Sequence, residues 1–346
     1  MSDKTNNAEQ VASPAEHLVE VHDLKTYFHT AAGTAKAVDG VSFTLDRGKT
    51  LAIVGESGSG KSVTASSLMR LLPKTGKIEG GTVEFDGHDI VHATDAELRQ
   101  LRGKDISMIF QDPMTALDPV FKVGSQMIEN IRIHDGLDKA AARKRAIEML
   151  RLVSIPNPEK RMDSYPYELS GGMCQRVMIA MAMSCHPKFI IADEPTTALD
   201  VTVQAQVLSL LKGLQDEMDT GILLITHNLG IVWQMADDVM VMYAGRTCEY
   251  ASMEELYSNP MHPYTWGLLD SMPKLSDKAK TDLKTIPGVP PDLRLTGTCC
   301  NFYNRCPYAC EKCKSEVPPL MEVRPGHFVA CHRQNGEQTL VRGEAN

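Results

Sequence analysis

The sequence predicts an α/β protein whose core is a largely parallel sheet covered by helices on both faces. Three observations predict it. Short apolar runs alternate with helical segments through most of the chain, as in strands joined by crossover helices. Several of those runs stop at polar residues, which puts chemistry at the C-terminal ends of strands, where α/β proteins bind ligands. Residues 55–62, Gly-Glu-Ser-Gly-Ser-Gly-Lys-Ser, fit the pattern G-x-x-x-x-G-K-[ST] between one such run and one such helix.

The elements follow in order. Residues 1–17 are polar and aperiodic and read as a disordered tail. Residues 18–21 and 41–45 read as strands, with Gly33 marking a hairpin between them. Tyr27 and Phe28 fall in this β-rich entry, where a ring suits stacking on a nucleobase or plain core packing. Residues 51–54 read as a buried strand and 62–72 as a helix stopped by Pro73. Between them Gly55, Gly58 and Gly60 permit the turns that aim backbone N–H groups at an anion, and the helix N-terminus adds partial positive charge. Lys61 can reach the β- and γ-phosphates, and the Ser62 hydroxyl can ligate Mg²⁺. An ordinary glycine turn before a helix would lack the Lys-Ser pair.

A second hairpin is expected over 80–90, a short helix over 95–102, and a strand over 106–110 that ends at Gln111 before an Asp-Pro turn. Residues 123–168 read as mostly helical, most plainly at 140–153, where apolar residues recur at helical spacing. Leu-Ser-Gly-Gly-Met at 169–173 opens another helix. Strands over 189–192, 222–225 and 239–243 and an amphipathic helix over 202–218 complete the alternation. From about 258 prolines accumulate and cysteines follow, so residues 258–346 are expected to form a small, loop-rich, metal-stapled appended unit.

The chain has 346 residues, 42% of them hydrophobic and 23% charged, enough for about two globular domains. A formal net charge of −8 disfavours non-specific nucleic-acid binding. No apolar run approaches the roughly 20 residues that span a bilayer, and the polar N-terminus has no signal-peptide core. A cytosolic protein is expected, with any membrane spans supplied by other subunits. Of nine cysteines, Cys299, Cys300, Cys306, Cys310, Cys313 and Cys331 crowd near the C-terminus. In a reducing compartment such a cluster points to metal rather than disulfides. Cys300, Cys306, Cys313 and Cys331 space as C-x5-C-x6-C-x17-C; four thiolates suit zinc or an iron–sulfur cluster, and free thiols are the third reading.

Asp193 and Glu194 form a paired-carboxylate site at a strand end. The first can hold Mg²⁺ directly or through water, and the second can orient or deprotonate an attacking water. Alone, such a pair is commonly a solvated strand end; a phosphate loop about 130 residues earlier in the same pattern argues otherwise. His227 and Gln111 also follow apolar strands, and the imidazole can hydrogen-bond a γ-phosphate. Ser170, Gly171 and Gly172 present a hydroxyl and N–H groups at a helix's positive end, a second phosphate-contacting surface. Two chains facing head to tail can sandwich ATP between one loop and the other chain's Ser170 surface.

Together and in this order, over about residues 18–255, these motifs resemble the ATP-binding-cassette ATPases. The resemblance implies a P-loop cassette over 18–257: a RecA-like parallel core, an antiparallel β subdomain and a helical subdomain at about 112–170, followed by the small C-terminal Cys-rich domain. It implies ATP and Mg²⁺. It makes Phe28 the adenine-stacking ring, with Tyr27 as the alternative, and Gly55, Glu56, Ser57, Gly58, Ser59, Gly60, Lys61 and Ser62 the Walker A loop. Ser62, Gln111 and Asp193 become Mg²⁺ contacts, Glu194 the general base and His227 the γ-phosphate switch. Ser170, Gly171 and Gly172 become the signature facing the opposing ATP, and Asp200 part of the loop coupling two sites. Met173 departs from the Gln of many cassettes, and Cys174 from a common basic residue.

Within the family, F-Q-D-P-M-T-A-L-D-P, M-Y-A-G-R-T-C-E-Y and H-P-Y-T-W-G-L-L resemble bacterial peptide importers of the oligopeptide-permease kind, with dipeptide and nickel importers close. This implies a second, non-identical cassette, two transmembrane permease subunits, an extracytoplasmic solute-binding protein and a place on the cytoplasmic face of the inner membrane, with no nucleic acid. Those importers share a tail, G-C-x-F-x-x-R-C-P, that carries a [4Fe-4S] cluster; here Cys299 replaces its Gly, and Cys310 lies near the four implied ligands. A cassette acting on DNA or ribosomes is the competing class. The single phosphate loop and the short distance to Asp193 argue against it, and intact Glu194 and His227 argue against a non-catalytic cassette.

Overall fold

The computed structural model describes residues 17–197, 199–271, 285–334 and 339–343; the tail expected over 1–17 lies outside them except for its last residue. Strands β1 (Val19–Thr30) and β2 (Gly33–Leu45) form one long antiparallel hairpin that continues well past the two short strands expected. β3 (Thr50–Val54), buried at all five positions, runs into the phosphate loop and α1 (Lys61–Leu68). α1 ends earlier than Pro73 requires. Arg70 turns left-handed at φ 47°, and Leu71 N–H returns to Ser66 O at 2.8 Å, closing the helix by a C-terminal cap rather than by proline. β4 (Gly76–Phe85) and β5 (His88–Asp89) complete a four-stranded antiparallel sheet in the order β2-β1-β4-β5.

α2 (Asp95–Leu101) starts on a Thr94/Glu97 capping box and leads to β6 (Ile106–Ile109). The helical part follows: α3 (Pro113–Ala116), α4 (Val123–Asp135), α5 (Lys139–Leu152), α6 (Pro158–Arg161) and α7 (Gly171–Met183). Their apolar faces, including Met127, Ile131, Ala146, Leu150 and Val177, share one core with one face of the main sheet. β7 (Phe189–Asp193), α8 (Val201–Met218), β8 (Gly221–Ile225), α9 (Leu229–Met235) and β9 (Asp238–Tyr243) give the expected alternation. β10 (Arg246–Ser252), α10 (Met253–Ser258), α11 (Pro263–Asp270), α12 (Glu311–Ser315), β11 (Met321–Arg324) and β12 (His327–Val329) complete the described elements.

The main sheet has the order β11-β12-β10-β9-β3-β8-β7-β6. β9, β3, β8, β7 and β6 run parallel, while β10, β12 and β11 pair antiparallel at one side. Along β3, Ala52 and Val54 face one core and Leu51 and Ile53 the other, so the sheet is buried on both faces. The segment after 258 is loop-rich as expected but does not build a sheet of its own. β12 registers Val329 against Glu249 and Phe328 against Tyr250, extending the cassette's sheet. No helix among the described residues is long and apolar enough to cross a membrane.

Candidate active site

β3 delivers the chain into a loop that only glycine can follow at two points. A Cβ on Gly55 would lie 2.2 Å from Met242 O, and one on Gly60 2.3 Å from Ala37 O; both residues have positive φ, 152° and 105°. Lys61 is buried, and its Nζ donates to Gly55 O at 2.8 Å and Glu56 O at 2.9 Å. Burial pushes its amine below the ordinary range against the pull of Glu194, Asp193 and Glu56. Ser59 Oγ is buried without a hydrogen-bond partner. A loop of turned glycines around a lysine and an unpartnered hydroxyl fits a phosphate group.

Ser62 Oγ donates to Asp193 Oδ1 at 3.1 Å, linking the first turn of α1 to the end of β7. Burial raises the Asp193 carboxyl, with the Ser62 hydrogen bond and the Lys61 charge opposing. A hydroxyl and a carboxylate side by side suit a hard divalent cation, which Ser62 and Asp193 would hold.

Glu194 follows at φ 48°, a strained left-handed conformation for a non-glycine residue, its N–H held by Ile225 O at 2.8 Å. Its carboxylate meets three groups: Gln111 Nε2 at 3.2 Å, Thr197 Oγ1 at 2.9 Å and His227 Nδ1 at 3.1 Å. Gln111, Glu194 and His227 thus converge from just beyond the ends of β6, β7 and β8. Burial pushes the Glu194 carboxyl up, but the His227 and Thr197 hydrogen bonds, with the charges of His227 and Lys61, hold it below the usual range. A carboxylate kept ionised beside the phosphate loop can orient a water and take its proton.

A cavity of about 540 Å³ spans these groups. The phosphate loop, Gln111, Glu194 and His227 line its polar part, and Phe28, Ala35, Ala37 and Leu293 its apolar part. Of the two candidate rings Phe28 lines it; Tyr27 instead donates its hydroxyl to Asp39 at 2.6 Å. Ser170, Gly171, Gly172 and Asp200 are not among the described residues lining this cavity. Ser170 is exposed and caps α7, accepting from Met173 N at 3.3 Å, and Asp200 caps α8, accepting from Val203 N at 3.0 Å. The small side chain at 174 packs well: Cys174 is fully buried, its thiol against Pro166 O, where a long basic side chain would have to be desolvated.

All nine cysteines are free. The expected four-thiol centre is not assembled: among the described residues no group of three or more His, Cys, Asp or Glu stands ready to hold a metal. Cys310 and Cys313 are the close pair, at 3.5 Å between sulfurs. Burial first of all pushes the thiols of Cys300 and Cys306 up to about 12 and that of Cys331 to about 11, so as they stand they are protonated. Sequence spacing carries no distance, and neutral thiols need not converge without a cation.

Sequence reasoning gave no role to Thr197, Leu293, Tyr264 or Arg305. Thr197 was within reach, a hydroxyl three residues after Glu194; Leu293 carries no local signal, and Tyr264 and Arg305 stand inside quoted motifs that do not show that both side chains reach Glu56.

A sheet whose strand ends gather a phosphate loop, a Ser–Asp pair and an ionised carboxylate defines an ATPase of the phosphate-loop class. Residues 38–197 match the family model described as ABC transporter, and residues 248–313 the one described as oligopeptide/dipeptide transporter, C-terminal region. The chain is 51% identical over 313 residues to oligopeptide transport ATP-binding protein OppD of Bacillus subtilis, covering 90% of this chain and 87% of that one. It is 50% identical over 329 residues to OppD of Salmonella typhimurium, covering 95% and 97%. Dipeptide transport ATP-binding protein DppD of Bacillus subtilis is 47% identical over 333 residues, covering 95% and 99%. Among solved structures, a dimeric ATP-binding cassette in a post-hydrolysis state, bound to ADP and Pi, superposes with a TM-score of 0.62 at 26% identity, covering 68% of this chain and 98% of that one. The chain belongs to the ABC transporter family, as one of its ATPases.

Proposed function

We propose that this chain is the ATP-hydrolysing subunit of an oligopeptide importer, working at the cytoplasmic face of the inner membrane with a second, non-identical cassette and two transmembrane permease subunits fed by an extracytoplasmic binding protein. The carrying observation is the convergence of Gln111, Thr197 and His227 on the Glu194 carboxylate beside the phosphate loop. The import of oligopeptides draws support from the OppD relatives, with DppD relatives the nearest alternative cargo class.

Lys61 leaves the Gly55 and Glu56 carbonyls for the β- and γ-phosphates of ATP, and Phe28 packs on the adenine. Bound Mg²⁺ would neutralise charge on those phosphates; Ser62, Asp193 and Gln111 are the residues to hold it. Glu194 accepts the proton of a water whose oxygen attacks the γ-phosphorus, and the bond to the β-phosphate oxygen breaks to leave ADP and phosphate. His227 and Gln111 hold Glu194 and the water in line. Ser170, Gly171 and Gly172 close over the ATP of the opposing cassette, with Asp200 at the same interface.

Glu194→Gln is expected to keep ATP affinity and lose about 10²-fold or more in turnover; wild-type turnover in that variant would remove Glu194 as the base. Uptake of a labelled oligopeptide by the reconstituted importer, with dipeptide and Ni²⁺ as competitors, tests the cargo.

Residues 258–346 are read as a Cys-rich extension in which Cys300, Cys306, Cys313 and Cys331 take a [4Fe-4S] cluster, with zinc as the alternative. The support is the spacing of the four cysteines in one short segment and their half-buried or buried placement. Anaerobic protein without iron on analysis and without visible absorbance would exclude the cluster.

A further inference from the structure

We infer that Arg305 is a positioning residue for the phosphate loop: through a two-pronged, half-buried pair with Glu56 the C-terminal segment holds the loop in its anion-binding shape and so sets nucleotide affinity. This rests on the reading that residues 55–62 hold the phosphates.

The Arg305 side chain is 4% exposed. Nη1 donates to Glu56 Oε2 at 2.5 Å and Nη2 to Oε1 at 3.0 Å, a two-pronged grip on one carboxylate. The remaining donors are also taken: Nε by Pro287 O at 2.9 Å, Nη2 by Ile286 O at 3.1 Å and Nη1 by the Tyr243 hydroxyl at 3.2 Å. All five guanidinium N–H groups therefore have acceptors, and the fork cannot turn away without leaving several unmet.

Residue 56 is gripped at its other polar groups as well. Its N–H donates to the Tyr264 hydroxyl at 2.8 Å, and its carbonyl accepts from Lys61 at 2.9 Å. The neighbouring Gly55 lies hard against the Met242 backbone. When Lys61 turns to a phosphate, the Arg305 and Tyr264 contacts persist, so residue 56 stays fixed while its carbonyl gives up the lysine. A loop held this way spends little ordering free energy on binding. Arg305 does not line the cavity, so it acts on the nucleotide only through Glu56.

The test is equilibrium binding of MgATP to the full chain for Arg305→Met, Arg305→Lys, Glu56→Gln and the Arg305→Met/Glu56→Gln double variant, with thermal midpoints alongside and Lys61→Ala as the reference. Arg305→Met is expected to bind about tenfold more weakly, with KM rising more than kcat falls, and Arg305→Lys to recover part of the loss. The double variant is expected to be no weaker than the weaker single variant. Affinity within about twofold of wild type in Arg305→Met, or losses that simply add in the double variant, would make the pair a mere staple of the C-terminal segment and overturn the inference. Should Arg305→Met fail to fold, unchanged affinity in Glu56→Gln overturns it equally. Wild-type affinity in Lys61→Ala would instead bring down the phosphate-loop reading itself.

Discussion

Glu249 is wholly buried on β10, yet its carboxylate is fully used. It accepts from Met261 N at 2.6 Å, His262 N at 3.0 Å and His327 Nε2 at 2.8 Å. His327 is also fully buried, and its Nδ1 lies 3.3 Å from Glu255. Burial lowers its imidazole, but Glu249 and Glu255 outweigh that and hold it above the ordinary histidine value of about 6.5. Neighbouring His262 is pushed down to about 4 by burial and stays neutral in the relevant range. A raised folded value means that the pair's stabilisation is complete below 6.5 and is lost as pH rises through the folded value. His327→Gln should therefore cost about 2 kcal/mol at pH 6 and progressively less toward pH 9, read as the gap between thermal midpoints. A gap that widens with pH would reverse the assignment. The pair joins residues 78 positions apart, and no local pattern in the sequence marks it. Gln111, Glu194 and His227 were legible because each lies within two residues of the end of an apolar strand; the Arg305–Glu56 pair, 249 positions apart, was not.

At the scale of elements, α7 shows how one residue serves two demands. Ser170 caps the helix, and the same hydroxyl and N–H end is the surface proposed to face a partner's ATP. The two roles separate by charge. Aspartate caps as well as serine and suits the helix's positive end, but it repels phosphate. Ser170→Ala should cost about 1 kcal/mol in stability, whereas Ser170→Asp should leave the thermal midpoint within about a degree and abolish ATP turnover. Turnover in Ser170→Asp close to wild type would confine Ser170 to capping. Element types followed from periodicity, whereas ends and partners depended on tertiary context. α1 closes on Arg70 rather than Pro73, and Arg102, the residue just after α2, takes up the freed Met69 O at 3.0 and 2.6 Å. β11 and β12 were unmarked because strands this short carry too little alternation to distinguish them from loop; β12 gains its place by pairing with the edge of β10, and β11 by pairing with β12.

For the whole molecule, the decisive fact is separation. The cavity gathers the phosphate loop and the three convergent side chains, while Ser170, Gly171 and Gly172 sit outside its lining on the N-terminus of α7, with open space around Gly171. On the proposed reading, a γ-phosphate in this cavity would be gripped by Lys61 of one chain and would still lack donors from the other side, and each missing donor to a developing charge is worth several kcal/mol. In the absence of the non-identical cassette, two copies of this chain would have to supply the two faces, and turnover per chain should then rise with chain concentration as they meet. Lys61→Ala supplies a sharper form of the test, because that chain loses its own phosphate grip but keeps an intact Ser170 surface. Added in excess to dilute wild-type chain, it should raise the wild-type ATPase rate, while the Lys61→Ala/Ser170→Asp double variant should not. Equal stimulation by both additives, or full turnover by a chain shown to be monomeric by sedimentation, would mean that one cassette completes the site alone.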